Sequence, residues 1–328
     1  MKIHVLGATG LIGSAIVYEL AERGHDVSGS GRSESRPRNL AGVDFTYLPG
    51  NQDADGQFDT WLADKDIVVD AGAPYPLHLL TASSDNEKLP LAYAERRSEA
   101  IISALRKTSA RLFCISTALL EPRDKPASLA DLQSQLVRRL YPYFSVKRTI
   151  EERMLSASRP GNPTVIVRPT ACIGPWDIKP RELCWIPKLV SGEVPAVLRH
   201  RINVLDTRDL AAAVAIAIEE NVNTETLVVA GHNTTTDELL KILCHSAGVA
   251  APRVDIPAAL SIVPLLWAEM AWATIGSPSP LPSLVPALLC EQRWIEPDCH
   301  ENLMQIDPRP LADTARDTVA WYRNLGYC

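Results

Sequence analysis

Three features of the sequence predict an α/β protein, a doubly wound parallel sheet with a smaller, mostly helical C-terminal lobe. β-rich runs alternate with helical stretches over the first half of the chain, a glycine triplet follows the first run, and the pattern gives way to proline-punctuated segments after Pro169. Strand and helix in alternation imply parallel strands joined by right-handed crossovers.

Residues 3–6 read as the first strand and 11–23 as the first helix, with Ile12, Ala15, Ile16 and Leu20 apolar. Val27 begins a second, short strand. Runs at 45–48, 67–69, 112–116 and 165–168 continue the series, with helices between them, notably 98–107 and 146–156. Pro175, Pro180, Pro187 and Pro195 then punctuate a loop-rich stretch, after which Asp209 opens an apolar helix through Ala217 and 227–230 forms one further strand. From Thr236 onward helices and proline-rich turns dominate, with Pro278, Pro280, Pro282 and Pro286 close together.

The composition of 328 residues, 46% hydrophobic and 22% charged, supports an extensive core and excludes collagen, coiled coil and wholesale disorder. The charge is −6 and the basic residues are dispersed, which argues against a nucleic-acid partner. The chain starts on a strand rather than a charged leader, so no signal peptide is expected. The apolar run 258–268 is interrupted by Pro264, followed by Glu269 and too short to span a bilayer. A buried helix accounts for this region as well as a membrane-surface helix does. Core packing is the default for Trp176, Trp185, Trp267 and Trp272, although they could line a hydrophobic pocket. The cysteines form no C-x-x-C pair, so reduced thiols and a cytoplasmic location are expected. The histidines show no ligand spacing, and no metal is assigned.

Gly7-Ala8-Thr9-Gly10-Leu11-Ile12-Gly13 joins the first strand to the first helix, the context that a Rossmann-type dinucleotide site requires. Gly7 permits the tight turn, Gly10 lets backbone approach a pyrophosphate, and Gly13 lets the helix pack on the strand. The helix N-terminus supplies unpaired N–H groups and a positive dipole to the phosphates. An acid at the end of the second strand would bond the ribose 2′-OH and repel a 2′-phosphate. Here 28–33 read Ser-Gly-Ser-Gly-Arg-Ser; the acid is missing, and Arg32, followed by Arg36 and Arg38, offers a guanidinium to a 2′-phosphate. NADP(H) is therefore favoured over NAD(H). Residues 1–175 are read as the dinucleotide-binding domain, with 202–231 returning to it, and 176–328 as a substrate-binding lobe.

Tyr143 and Lys147 stand four residues apart, on one face if helical. A phenol with a pKa near 10 is only about one part in a thousand ionised at pH 7, and lowering it by ~3 units takes roughly 4 kcal/mol of preference for the charged form. A neighbouring ammonium supplies such preference. Tyr141 has Ser145 in the corresponding place and lacks the partner. The strand at 112–116 ends in two hydroxyls, Ser116 and Thr117, where parallel sheets bind their ligands. One of the two can bond a substrate oxygen; the other is a strand-end cap.

With these motifs in this order, the chain resembles the extended short-chain dehydrogenases/reductases, the NAD(P)-dependent epimerase/dehydratase superfamily. The nearest pattern is the branch of dihydroflavonol 4-reductases and hopanoid-associated sugar epimerases. Val165-Ile166-Val167-Arg168-Pro169-Thr170 matches the strand and R-P turn beside the nicotinamide, and the stretch from Arg201 to Ala211 resembles the later strand and its Asp-capped helix. Trp321-Tyr322-Arg323-Asn324-Leu325-Gly326-Tyr327 resembles the branch's terminal helix, so the likeness covers nearly the whole chain. The resemblance implies Thr117 as the triad hydroxyl with Ser116 beside it, Tyr143 as acid–base and Lys147 as its activator and a holder of the nicotinamide ribose. It implies cofactor contacts from the backbone of Ala71, Gly72 and Ala73, from Asn51 in place of the usual adenine-contacting aspartate, and from Pro169 and Thr170 flanking the nicotinamide.

The departures also inform. The family's Asn-x-x-Gly-Thr helix is absent, with Tyr93 through Arg97 in that region. No Asp-Glu pair follows Thr117, and the Val-Tyr-Gly of many sugar epimerases is missing. The sequence reading is NADPH-dependent reduction of a ketone on a small to medium hydrophobic metabolite, by a protein with a small-molecule substrate, no membrane span and a homodimer as a conceivable assembly. A nucleotide-sugar epimerase that retains its NAD(P), and a non-catalytic NADP(H)-binding sensor, are the alternatives.

Overall fold

In a computed structural model of the chain, β1 (Lys2–Leu6) lies inside a parallel sheet, between β2 (Asp26–Gly31) and β4 (Ile67–Asp70). The structure describes residues 1–72, 85–121, 138–139, 142–178, 185–194, 196–274, 288–289, 291, 293–296 and 302–327. β3 (Thr46–Pro49) extends the β2 edge, while β5 (Arg111–Ile115), β6 (Val165–Pro169), β10 (Thr226–Val229) and β13 (Leu303–Met304) follow in turn beyond β4. All of these pairings are parallel. The strand order reverses between β1 and β4, so the loops leaving their carboxyl ends diverge and open a crevice there.

Alternation along the strands builds a core on each face. Ile3, Val5 and Val69 pack with Ile16 and Leu20 of α1 (Leu11–Glu22) and Leu210 and Val214 of α6 (Thr207–Glu219). Leu6, Val68 and Cys114 face the other way, against α2 (Gln57–Leu62), α3 (Asp85–Leu105) and α4 (Pro142–Leu155) through Trp61, Ile101, Val146 and Ile150. The strands and helices expected in the first 170 residues are all present, with shifted ends. β2 runs longer than its Ser- and Gly-rich composition suggests. A side chain at Gly29 would stand 2.6 Å from the Ala8 methyl, and one at Gly31 2.5 Å from Thr9, so close approach to the glycine turn dictates its composition. α4 opens at Pro142 rather than at 146, since a proline in the first helical position sacrifices no hydrogen bond. That earlier start puts Tyr143 inside the helix.

The region from 171 onward departs further from the sequence reading. α6 and β10 join the main sheet's layers, but β9 (Arg201–Asp206) pairs instead with β7 (Ala171–Ile173) and β11 (His232–Thr235). β8 (Ala196–Arg199) pairs with β12 (Val254–Pro257). β9 is the later strand that the resemblance implied, whereas β7, β8, β11 and β12, short and poor in patterned apolar residues, were not anticipated, nor was the return of 303–304 to the main sheet as β13. α5 (Trp185–Val190), α7 (Thr236–Ala247) and α9 (Leu311–Asn324) close a third core through Leu189, Leu239, Leu243, Val319 and Tyr322. Asp206, not Asp209, caps α6: its carboxylate accepts from the Arg208 amide at 2.8 Å, while Asp209 lies inside the helix and pairs with Arg309. α8 (Ala258–Thr274) is not a buried helix. Leu260, Trp267 and Met270 are exposed to 70%, 68% and 51%, and Trp272 is exposed too, so core packing fails for both tryptophans. Trp176 does pack, stacked on Tyr18 with centroids 4.2 Å apart.

Candidate active site

The turn from β1 into α1 has the geometry its glycines suggest. Gly7 takes a φ of +74°, where a side chain is disfavoured, and a Cβ there would lie 2.6 Å from Gly72 Cα. A Cβ on Gly13 would lie 2.2 Å from the Gly7 carbonyl oxygen, so Gly13 packs on the turn itself. Gly10 differs: its Cβ would meet only the Gly7 oxygen at 3.5 Å, and no side chain caps α1 at that position. The Gly10 amide donates to the Gly7 carbonyl at 3.1 Å, and space at Gly10 with the uncapped amides of Leu11 and Ile12 fits an anion lodged against the helix N-terminus. The donor set and the tight Gly7–Gly72 contact fit a dinucleotide pyrophosphate.

Around this cradle, Thr9 stands half-buried beside Gly31, and Arg32 is exposed at the end of β2 with no ion-pair partner among the described residues. Arg36 is engaged elsewhere: Nε donates to the Leu40 carbonyl at 2.9 Å, NH2 to that of Val43, and the guanidinium lies over the Phe45 ring. That leaves Arg32 at the strand end, and Arg38 further along the loop, as exposed cations without an ion-pair partner among the described residues. Asn51 is exposed after β3, its side-chain oxygen accepting from the Asp53 amide at 3.1 Å. Ala71 and Gly72 follow β4, the Ala71 amide donating to Leu6 at 3.0 Å; Ala73 and Tyr141 lie outside the described residues.

Tyr143 and Lys147 share the buried face of α4, 3% and 7% exposed. The Tyr143 ring meets Phe144 edge-on at 5.1 Å. Lys147 takes no hydrogen-bond partner among the described residues. Burial holds its ammonium below the ordinary lysine range, against the pull of Asp70 and Glu151. Its helix neighbours Val146 and Ile150 pack with Val68 of β4 and Cys114 of β5. Cys114 carries no charge at neutral pH, because burial pushes its thiol well above the usual range. Ser116 and Thr117 leave β5 here. The Thr117 oxygen accepts from the Leu119 amide at 3.2 Å as the cap of the turn Ala118–Leu120, which leaves its own hydrogen to donate outward. The Ser116 hydroxyl is buried without a partner among the described residues, so of the two hydroxyls it is Thr117 that caps the strand end.

Pro169 is buried at the end of β6, and the Thr170 hydroxyl donates to Asn203 Oδ1 at 2.7 Å. Of the basic residues 199–201, Arg199 pairs with Asp255 at 3.1 Å and Arg201 covers the Trp294 ring. Cys172 sits on β7 with its thiol pushed up to about 12 by burial, an inert position. Two features escaped the sequence reading. Arg168 bridges Glu121, just after the Thr117 turn, to Glu151 of α4, and Arg97 pairs with Asp70 beneath the cradle. Their partners are 17 to 47 residues away, so no local spacing announces them.

A doubly wound sheet with a glycine turn and an uncapped helix end at its switch point, and a buried tyrosine–lysine face on α4, fits the class of Rossmann-type enzymes that use a nicotinamide dinucleotide. The chain belongs to the NAD dependent epimerase/dehydratase family, whose model matches residues 3–230. Among curated proteins it is similar to one from Synechocystis sp. named "Putative dihydroflavonol 4-reductase", 24% identical over 330 residues, covering 98% of this chain and 95% of that one. Among solved structures it is similar to a nucleoside-diphosphate-sugar epimerase from Pseudomonas aeruginosa, with a TM-score of 0.74 and 23% identity over 100% of this chain and 99% of that one. It is also similar to UDP-glucuronic acid 4-epimerase from Bacillus cereus in complex with NAD, with a TM-score of 0.64 and 15% identity over 99% of each chain. At these identities the structural likeness is one of fold.

Proposed function

We propose that the protein is an NADPH-dependent reductase that converts a ketone on a small to medium hydrophobic metabolite to the alcohol, or runs the reverse oxidation. The observation that carries this reading over dehydration is the state of the first carboxylate after Thr117. Residues 118–120 are Ala-Leu-Leu, and Glu121 is held by Arg168 at 2.7 Å, so it is not poised to abstract a proton for elimination. The full-length likeness to a protein named as a reductase supports the same choice.

In this reading the Gly7–Gly13 turn, with Thr9, Leu11 and Ile12, holds the pyrophosphate and Arg32 the 2′-phosphate. Asn51 meets the adenine, Ala71 and Gly72 line the cleft with backbone, and Pro169 and Thr170 flank the nicotinamide. The bound cofactor supplies hydride. Thr117 donates a hydrogen bond to the substrate oxygen, and Tyr143 gives its phenolic proton to that oxygen as charge develops there. Lys147 stabilises the phenolate left behind until a proton from solvent restores the phenol. The buried position of the pair strengthens this electrostatic coupling relative to water.

The test is product analysis with NADPH across hydrophobic ketones and nucleotide sugars. Net NADPH consumption with a ketone, falling about 10² to 10⁴-fold in single turnovers of Tyr143→Phe with dinucleotide binding retained, is the expected result. Interconversion of a sugar epimer without net consumption, or an undiminished Tyr143→Phe rate, overturns it in favour of the epimerase or the sensor respectively.

A further inference from the structure

Beneath the cleft lies an ion pair that neither the phosphate cradle nor the proton transfer uses. Asp70 ends β4 with no exposure, Arg97 rises from α3 at 4%, and the guanidinium grips both carboxylate oxygens, NH1 to Oδ2 at 2.8 Å and NH2 to Oδ1 at 2.6 Å. Asp70 Oδ1 also accepts from the Gly72 amide at 3.0 Å. Gly72 is the residue pressed against Gly7, and a Cβ on it would meet Arg97 NH2 at 3.0 Å. The remaining Arg97 nitrogen, Nε, donates to Gln52 Oε1 at 3.2 Å, and Gln52 Nε2 to the Tyr93 hydroxyl at 2.5 Å. One side chain thus touches the wall after β4 and the loop after β3.

We propose that the Asp70–Arg97 pair is a positioning device for the dinucleotide cleft, locking the Ala71–Gly72 wall against the Gly7 turn and tying it to the Asn51–Gln52 loop. The proposal rests on the reading of this cleft as the NADPH site. Stability alone is a poor reason for such a pair, because desolvating both ions offsets most of their attraction and an apolar replacement often serves as well. Geometry is a better one: a bidentate fork fixes the carboxylate plane, and through it the Gly72 amide. The pair also governs the charge that Lys147 meets. With Arg97 in place the Asp70 carboxylate is compensated; without it, a bare buried anion faces the catalytic cation.

The experiment measures NADPH and NADH affinity by calorimetry, with urea unfolding in parallel, for the unmodified protein, Arg97→Gln and Arg97→Lys. Arg97→Gln is expected to weaken NADPH binding about tenfold, and Arg97→Lys to weaken it nearly as much, because an ammonium keeps the charge beside Asp70 but not the two-pronged grip. A residue that only stabilises the fold would lower the urea midpoint and leave affinity unchanged at temperatures where the variant is folded. Should Arg97→Gln not fold, Asp70→Asn combined with Arg97→Gln removes the stranded charge and is expected to show the same loss, neutral amides replacing the charge-assisted fork. Folded variants that bind within twofold of the unmodified protein, Arg97→Lys included, overturn the proposal. An unmodified protein that binds neither dinucleotide removes the reading of the cleft and the proposal together.

Discussion

Acid should weaken this protein through one buried side chain. His4 on β1 is fully buried beneath Trp61, its Nδ1 2.8 Å from the Ser28 hydroxyl and its Nε2 3.1 Å from that of Ser30. The Ser28 hydroxyl donates to the Ile3 carbonyl at 3.3 Å, so it accepts from Nδ1–H, and Ser30 donates to Nε2. The pocket is thus built for the neutral ring. Burial, with a smaller contribution from Lys65, lowers the His4 pKa from 6.5 to about 3. Between those values the unfolded chain binds a proton that the folded one refuses, so stability is full above about pH 6.5 and falls as pH drops toward 3. At ~1.4 kcal/mol per unit, the loss is about 2 kcal/mol by pH 5 and approaches about 5 kcal/mol near pH 3. The assay is the urea midpoint between pH 7 and pH 5 for the unmodified protein and His4→Gln, which removes the titration while keeping polar atoms near both serines. The variant is less stable at pH 7 but should lose about 2 kcal/mol less on acidification. Equal losses for the two proteins would refute the argument.

Asp70 adds a second acid effect. Burial would raise its carboxyl, but Arg97 and the Gly72 amide hold it below the usual range, so its contribution is present above about pH 3.9 and is lost as pH falls through the depressed value. Asp70→Asn should therefore flatten the urea-midpoint profile in that window and leave its slope above pH 5 unchanged. Arg32→Glu should weaken NADPH binding strongly and spare NADH, read by calorimetry; tighter NADH binding by the unmodified protein would reverse the cofactor assignment. Gly13→Ala should destabilise by about 1–3 kcal/mol, because its methyl would fall 2.2 Å from the Gly7 oxygen, whereas Gly10→Ala should leave the unfolding midpoint nearly unmoved and damage dinucleotide binding instead.

The glycine turn, the alternation of the first 170 residues and the tyrosine–lysine spacing were legible because each is local: close chain neighbours fix a turn, a strand period or one helix face. Hence the central sheet, the Gly7 turn and the Tyr143–Lys147 pair were open to reading from the residues, whereas the choice of Thr117 over Ser116 came from the family resemblance. The short strands of the second half carry no such period, and their existence depends on partners such as β7 for β9 and β8 for β12. Asp206 displaced Asp209 as a cap because the end of β9 decides where α6 begins, which no residue type announces. The exposure of Trp267 is likewise a matter of what packs against α8, since the helix's own sequence is apolar enough to be buried. The tertiary structure alone decided that Arg97 meets Asp70, that Glu121 is consumed by Arg168, and that Arg36 holds its own loop. The first two turn on a charge and a counter-charge distant in sequence, and only folding brings such pairs out of water together.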